Sequence, residues 1–178
     1  MTHVDFRVRI LPEDTEYLRK SPPEEFMYDA VDANLLMLVD GQSPFPSAGH
    51  RISPDGSLES VPILVFVWRL AQAVEQLQSR NVSDKQVSVT STPFEIRFER
   101  RGENVTLRVE EISTRGGHEL ARTVLPLREL ISQTTSTAQL VFLGVIGENP
   151  RLEANWALRG LRGTISALQA ADRGVPPI

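Results

Sequence analysis

The stretch Phe94–Glu111, FEIRFERRGENVTLRVEE, constrains the fold more than any other part of the chain. Phe94, Ile96 and Phe98 alternate with Glu95, Arg97 and Glu99. Beyond Arg101-Gly102-Glu103-Asn104, Val105, Leu107 and Val109 alternate with Thr106, Arg108 and Glu110. Successive strand side chains point to opposite faces, so this pattern predicts two strands sharing one buried face. The short connection makes them antiparallel neighbours. Val87–Thr90 and Glu119–Leu125 extend the expectation to a four-stranded meander, with Arg115-Gly116-Gly117 as a second turn.

Around this hairpin the periods change. Val4, Phe6, Val8 and Ile10 alternate with Asp5, Arg7 and Arg9, which predicts an N-terminal strand. Leu35–Val39, closed by Asp40-Gly41, reads as a second strand and turn. Ile63, Phe66, Val67, Leu70, Val74 and Leu77 fall at helical spacing. Ser60 is the expected N-cap of that helix, Pro62 its first turn, and Arg80-Asn81 its end. A helix from Pro126 to Gly147 carries Leu127, Leu130, Ile131, Ala138, Val141 and Val145 on one face. Gln133–Thr137 is poor in helix formers and marks a possible break. Asn149-Pro150 is expected to open the last helix, with Leu158, Leu161, Ile165 and Leu168 inward. Gly160 and Gly163 either weaken that helix or let a neighbour come close. Residues 12–32 read as an acidic loop with one or two short helices, around Glu13–Arg19 and Glu24–Ala30. Residues 42–58 read as a Pro/Gly-rich loop and 174–178 as a tail. The expected architecture is therefore a single α+β domain over residues 1–178. An antiparallel meander sheet of four to six strands is packed by one central helix and two C-terminal helices.

Composition narrows the function classes. A chain of 178 residues is long enough for one sizeable core. It holds no cysteine, which excludes a disulfide framework, a thiol nucleophile and thiolate metal sites. The opening THVDFRVRI reads as neither a signal nor a transit peptide, and the longest apolar run is Val61–Trp68. A bilayer span needs about 20 apolar residues. The expectation is a cytoplasmic protein without a membrane segment.

Motifs for chemistry are sparse. His3, His50 and His118 are far apart, and no HExxH, His-x-His, G-x-S-x-G, G-x-x-x-x-G-K or G-x-G-x-x-G occurs. Glu110-Glu111 point to opposite faces of a strand and make a poor acid–base pair. Arg97, Arg100 and Arg101 near Phe94 and Phe98 give the one basic stripe with aromatics, but Glu95 and Glu99 neutralise part of it. No catalytic residue, metal, cofactor or nucleic acid is expected.

The acidic segment stands out. Between Pro12 and Asp32 lie Glu13, Asp14, Glu16, Glu24, Glu25, Asp29 and Asp32, against only Arg19 and Lys20. The same segment carries Tyr17, Phe26, Met27 and Tyr28. Carboxylates steer a basic partner and rings anchor it. The candidate contact residues are Glu13, Asp14, Glu16, Tyr17, Glu24, Glu25, Phe26, Tyr28 and Asp29. The alternative is a surface strap whose rings cover the core. In its size, lack of cysteine, acidic patch and the helix-plus-hairpin Pro62–Glu111, the chain resembles the α+β immunity proteins of bacterial toxin–immunity pairs. That resemblance implies a non-catalytic inhibitor that occludes a partner protein. Two other readings stay open. One is a structural subunit that packs on copies of itself through the last helix and the Pro/Gly-rich loop. The other is an enzyme built from scattered residues such as His50, Asp55 and His118.

Overall fold

The computed structural model describes residues 3–45, 52–79, 81–113 and 116–173. Its order is β1 (Val4–Ile10), α1 (Pro12–Lys20), β2 (Asp32–Val39), β3 (Leu58–Pro62), α2 (Ile63–Leu77), β4 (Asp84–Ser88), β5 (Phe94–Arg101), β6 (Asn104–Ser113), β7 (Gly116–Pro126), α3 (Leu127–Glu148) and α4 (Trp156–Asp172). Short 3-10 turns occupy Tyr28–Ala30 and Pro150–Ala154. The fold is α+β, and all strand pairing is antiparallel.

The meander forms in the expected register. Phe98 pairs with Leu107 and Ile96 with Val109, and these four side chains are buried while Arg97 is exposed. Gly102 supplies the positive φ that the two-residue turn requires. The strands divide into two sheets rather than one, β1-β2-β3 and β4-β5-β6-β7. The buried side chains of both sheets and all four helices nevertheless form one continuous cluster. Asp40 ties the sheets together at their margin: one carboxylate oxygen accepts from the His3 N–H, the other from the Thr123 hydroxyl on β7.

Four expectations are corrected. Ser60 and Pro62 do not start the central helix, because Leu58–Pro62 is a strand paired with β2. Pro62 sits at a sheet edge, where its missing N–H removes no ladder bond, and helix begins one residue later. The apolar run Val61–Trp68 thus changes from strand to helix internally. The Pro/Gly-rich region is also not loop throughout, since β3 begins at Leu58 and Ile52 bridges to it. Secondly, α2 ends at Leu77, short of the expected Arg80-Asn81. The Arg100 guanidinium bonds the carbonyls of Leu77, Gln78 and Ser79 there, a cation at a helix C-terminus.

Thirdly, α3 runs unbroken through Gln133–Thr137. Thr135 and Thr137 donate to the carbonyls of Ile131 and Gln133, so their hydroxyls are satisfied within the helix. Helix α3 is also long and apolar enough to cross a bilayer by length and composition, but half of its apolar window is buried inside the protein. Fourthly, Asn149-Pro150 opens only the 3-10 turn, and Asn155 caps α4 by accepting from the Ala157 N–H. Leu158, Leu161, Ile165 and Leu168 face the core as expected. His50, Arg80, Arg115 and the tail 174–178 lie outside the described residues.

Candidate functional site

The acidic segment takes its shape from α1. Pro12 opens the helix, Glu13 and Asp14 sit in the first turn, and Arg19 and Lys20 in the last, all favourable to the helix dipole. Leu18 is its only fully buried side chain. Tyr17 lies on Phe26 with ring centroids 6.0 Å apart, and its hydroxyl accepts from the Met27 N–H.

Two asparagines of the C-terminal third clamp the chain from below. The Asn149 amide donates to the carbonyls of Leu18 and Ser21, both at 3.0 Å. The Asn155 amide donates to those of Pro23 and Phe26. Each asparagine also caps its own helix, accepting from Arg151 and Ala157 respectively. One side chain therefore holds both a helix start and the acidic segment, which fixes the segment without using its charges.

This geometry sorts the candidate residues. Phe26 is only 5% exposed, so it belongs to the core and leaves the contact set. Tyr17 is half-buried and serves mainly to hold the segment down. Glu13, Glu16, Glu24, Glu25 and Asp29 are exposed. Glu16 pairs with Lys20 at 2.6 Å, whereas Glu24, Glu25 and Asp29 make no ion pair among the described residues. Asp14 is half-buried beside Asp32 and Glu13; burial, then those like charges, hold its carboxyl above its ordinary value.

Tyr28 belongs to a feature the sequence reading missed. Its ring meets Trp156 edge-on at 5.5 Å and Trp68 at 6.0 Å, and the two indoles are 5.9 Å apart. Trp68 packs on Gly160, where a Cβ atom would come within 2.6 Å of its ring. Trp156 is 60% exposed and Met27 59%, so this corner offers a large apolar surface beside Glu24, Glu25 and Asp29. The glycine at position 160, where a helix lets a neighbour approach, was the sequence signal for it.

The basic stripe of the hairpin is internally used. Arg97 lies 2.8 Å from Glu95 and 3.1 Å from Glu110, Arg101 and Arg108 both bond Glu99, and Arg100 is occupied on α2. The Glu99 carboxyl is held below its ordinary value, first by the Arg101 hydrogen bond. Of the scattered-enzyme reading, His118 is exposed on β7 and Asp55 sits on the turn before β3, while His50 lies outside the described residues. No group of three potential metal ligands occurs among the described residues. No family model, curated protein or solved structure matches the chain.

Proposed function

We propose that this protein is a non-catalytic protein-binding module of the immunity or inhibitor type, acting in the cytoplasm, and that it occludes a partner protein carrying a basic surface. The observation that carries the reading is the corner where exposed Met27 and Trp156 flank half-buried Tyr28, beside three carboxylates that make no ion pair among the described residues. Tryptophan and tyrosine in a rigid setting are favoured anchors of protein interfaces, and unpaired carboxylates at the rim speed encounter with a basic surface. The asparagine clamps support the same reading, because a segment already fixed loses little conformational entropy on binding.

A photo-crosslinking residue at Met27, in cells that naturally make the protein, tests the site. A discrete adduct is expected from Met27 and none from Ile112, an exposed residue near the end of β6. With the captured partner purified, Glu24→Lys, Glu25→Lys and Asp29→Lys together should slow association 10-fold or more, while Trp156→Ala should act mainly on dissociation. No adduct at Met27, or an association rate indifferent to charge reversal and to salt, overturns the reading. A second reading, self-assembly, draws on Leu140 and Leu143, which are 60% and 52% exposed on α3. A solution mass of one chain at 100 μM, roughly the range of weak association, excludes it.

A further inference from the structure

On the far side of the molecule's smaller sheet a cleft of about 440 Å³ opens between β1, β2 and the turn 53–57. That volume lies in the range of small-molecule sites, roughly 300–1,000 Å³. Its construction follows from the strand period. Arg7 pairs in register with Leu36 and Arg9 with Asn34, so all four side chains share the face of the sheet opposite the core. The turn 53–57 leads into β3, which pairs with the other edge of β2, so Asp55 lies across β2 from the two arginines.

The polar groups are unequally committed. Arg7 gives its Nε to Asp5 at 2.8 Å, and its terminal nitrogens have no partner among the described residues. Arg9 and the Asn34 amide have no partner among the described residues. Across the cleft, Asp55 uses Oδ1 to accept from the Ser57 N–H at 3.0 Å and the Ser57 hydroxyl at 2.7 Å, while Oδ2 has no partner among the described residues. Those bonds, the hydroxyl's first, hold its carboxyl below its ordinary value, so it is ionised near neutral pH. Leu36 supplies an apolar floor between the charged walls.

We infer that this cleft binds a short zwitterionic peptide, its C-terminal carboxylate on Arg7 and Arg9 and its N-terminal ammonium on Asp55. A simple anion would meet the arginines but be repelled by Asp55. A single amino acid carries its two charges on one carbon, whereas here the arginines rise from β1 and Asp55 from the turn into β3, strands whose backbones lie two inter-strand spacings apart, about 10 Å. An extended chain advances about 3.3–3.6 Å per residue, so about three residues bridge that distance. The bidentate fork of arginine suits a carboxylate.

Calorimetric titration of the full chain with Ala-Leu-Ala, free and with either end blocked, tests this. The free tripeptide is expected to bind, and C-terminal amidation or N-terminal acetylation each to weaken it at least 10-fold. Arg9→Gln, which leaves Arg7, should shrink the penalty for amidation but keep that for acetylation; Asp55→Asn, which keeps the acceptor for Ser57, should remove the penalty for acetylation and keep that for amidation. Both positions are exposed, and unchanged melting temperatures will confirm that the variants fold. No binding at millimolar peptide, blocked peptides that bind as well as the free one, or inorganic phosphate that binds more tightly than the tripeptide each overturns the proposal.

Discussion

Replacing Gly160 with alanine sets two effects of opposite sign against each other, and the structure decides between them. In a helix interior alanine is favoured over glycine by about 1 kcal/mol. At position 160 the added methyl would lie 2.6 Å from Cζ2 of Trp68 and 3.1 Å from Cη2. That ring cannot simply turn aside, because Tyr28 and Trp156 pack against it and its indole nitrogen is buried. Overpacking of this kind costs about 1–3 kcal/mol. Gly163, in the same helix, has nothing within 4 Å of its would-be Cβ and serves as the internal control. Gly163→Ala should therefore stabilise by about 1 kcal/mol, while Gly160→Ala should be neutral or destabilising by up to about 2 kcal/mol. The difference isolates the clash. For a chain of this size 1 kcal/mol moves Tm by roughly 2–4 °C, so the two variants should separate by at least 2 °C in melts followed by circular dichroism. Tryptophan emission should shift in Gly160→Ala alone, since the chain's two tryptophans are both in this cluster. Equal stabilisation by both alanines would refute the packing of Trp68 on α4.

Asn155→Asp keeps the cap of α4 but loses the amide donors to Pro23 and Phe26, so urea unfolding should show a loss of about 1–3 kcal/mol despite the intact cap. Arg100→Met should cost about 1.5–3 kcal/mol in the same assay by stranding the last carbonyls of α2; Arg101→Met, which breaks an exposed pair with Glu99, should stay within about 0.5 kcal/mol. Burial raises the Glu75 carboxyl above its ordinary value of 4.5, so its contribution to stability is present below that value and lost as pH rises through the raised one. Glu75→Gln should accordingly melt higher than the parent at pH 7, and the two curves should converge as the pH is lowered below 4.5.

The side-chain period of two, read from Phe94 to Glu110, determined a buried face and hence both the meander and its register. Short-range contacts enforce that pattern whatever surrounds it. The stripes of α2 and α4 were equally legible, since a 3.6-residue period names the inward side chains without naming what they touch. What the sequence left undecided depends on distant partners. Whether Val61 and Pro62 are strand or helix is set by the free edge of β2, and the end of α2 by an arginine more than twenty residues away. The corner of Tyr28, Trp68 and Trp156 joins three segments whose spacing carries no period, and the cleft of Arg9 and Asp55 joins strands that only the sheet brings together. Local patterns encode which face of an element is apolar. Which faces meet, and which charges are left over once they have met, is settled by packing of the whole chain.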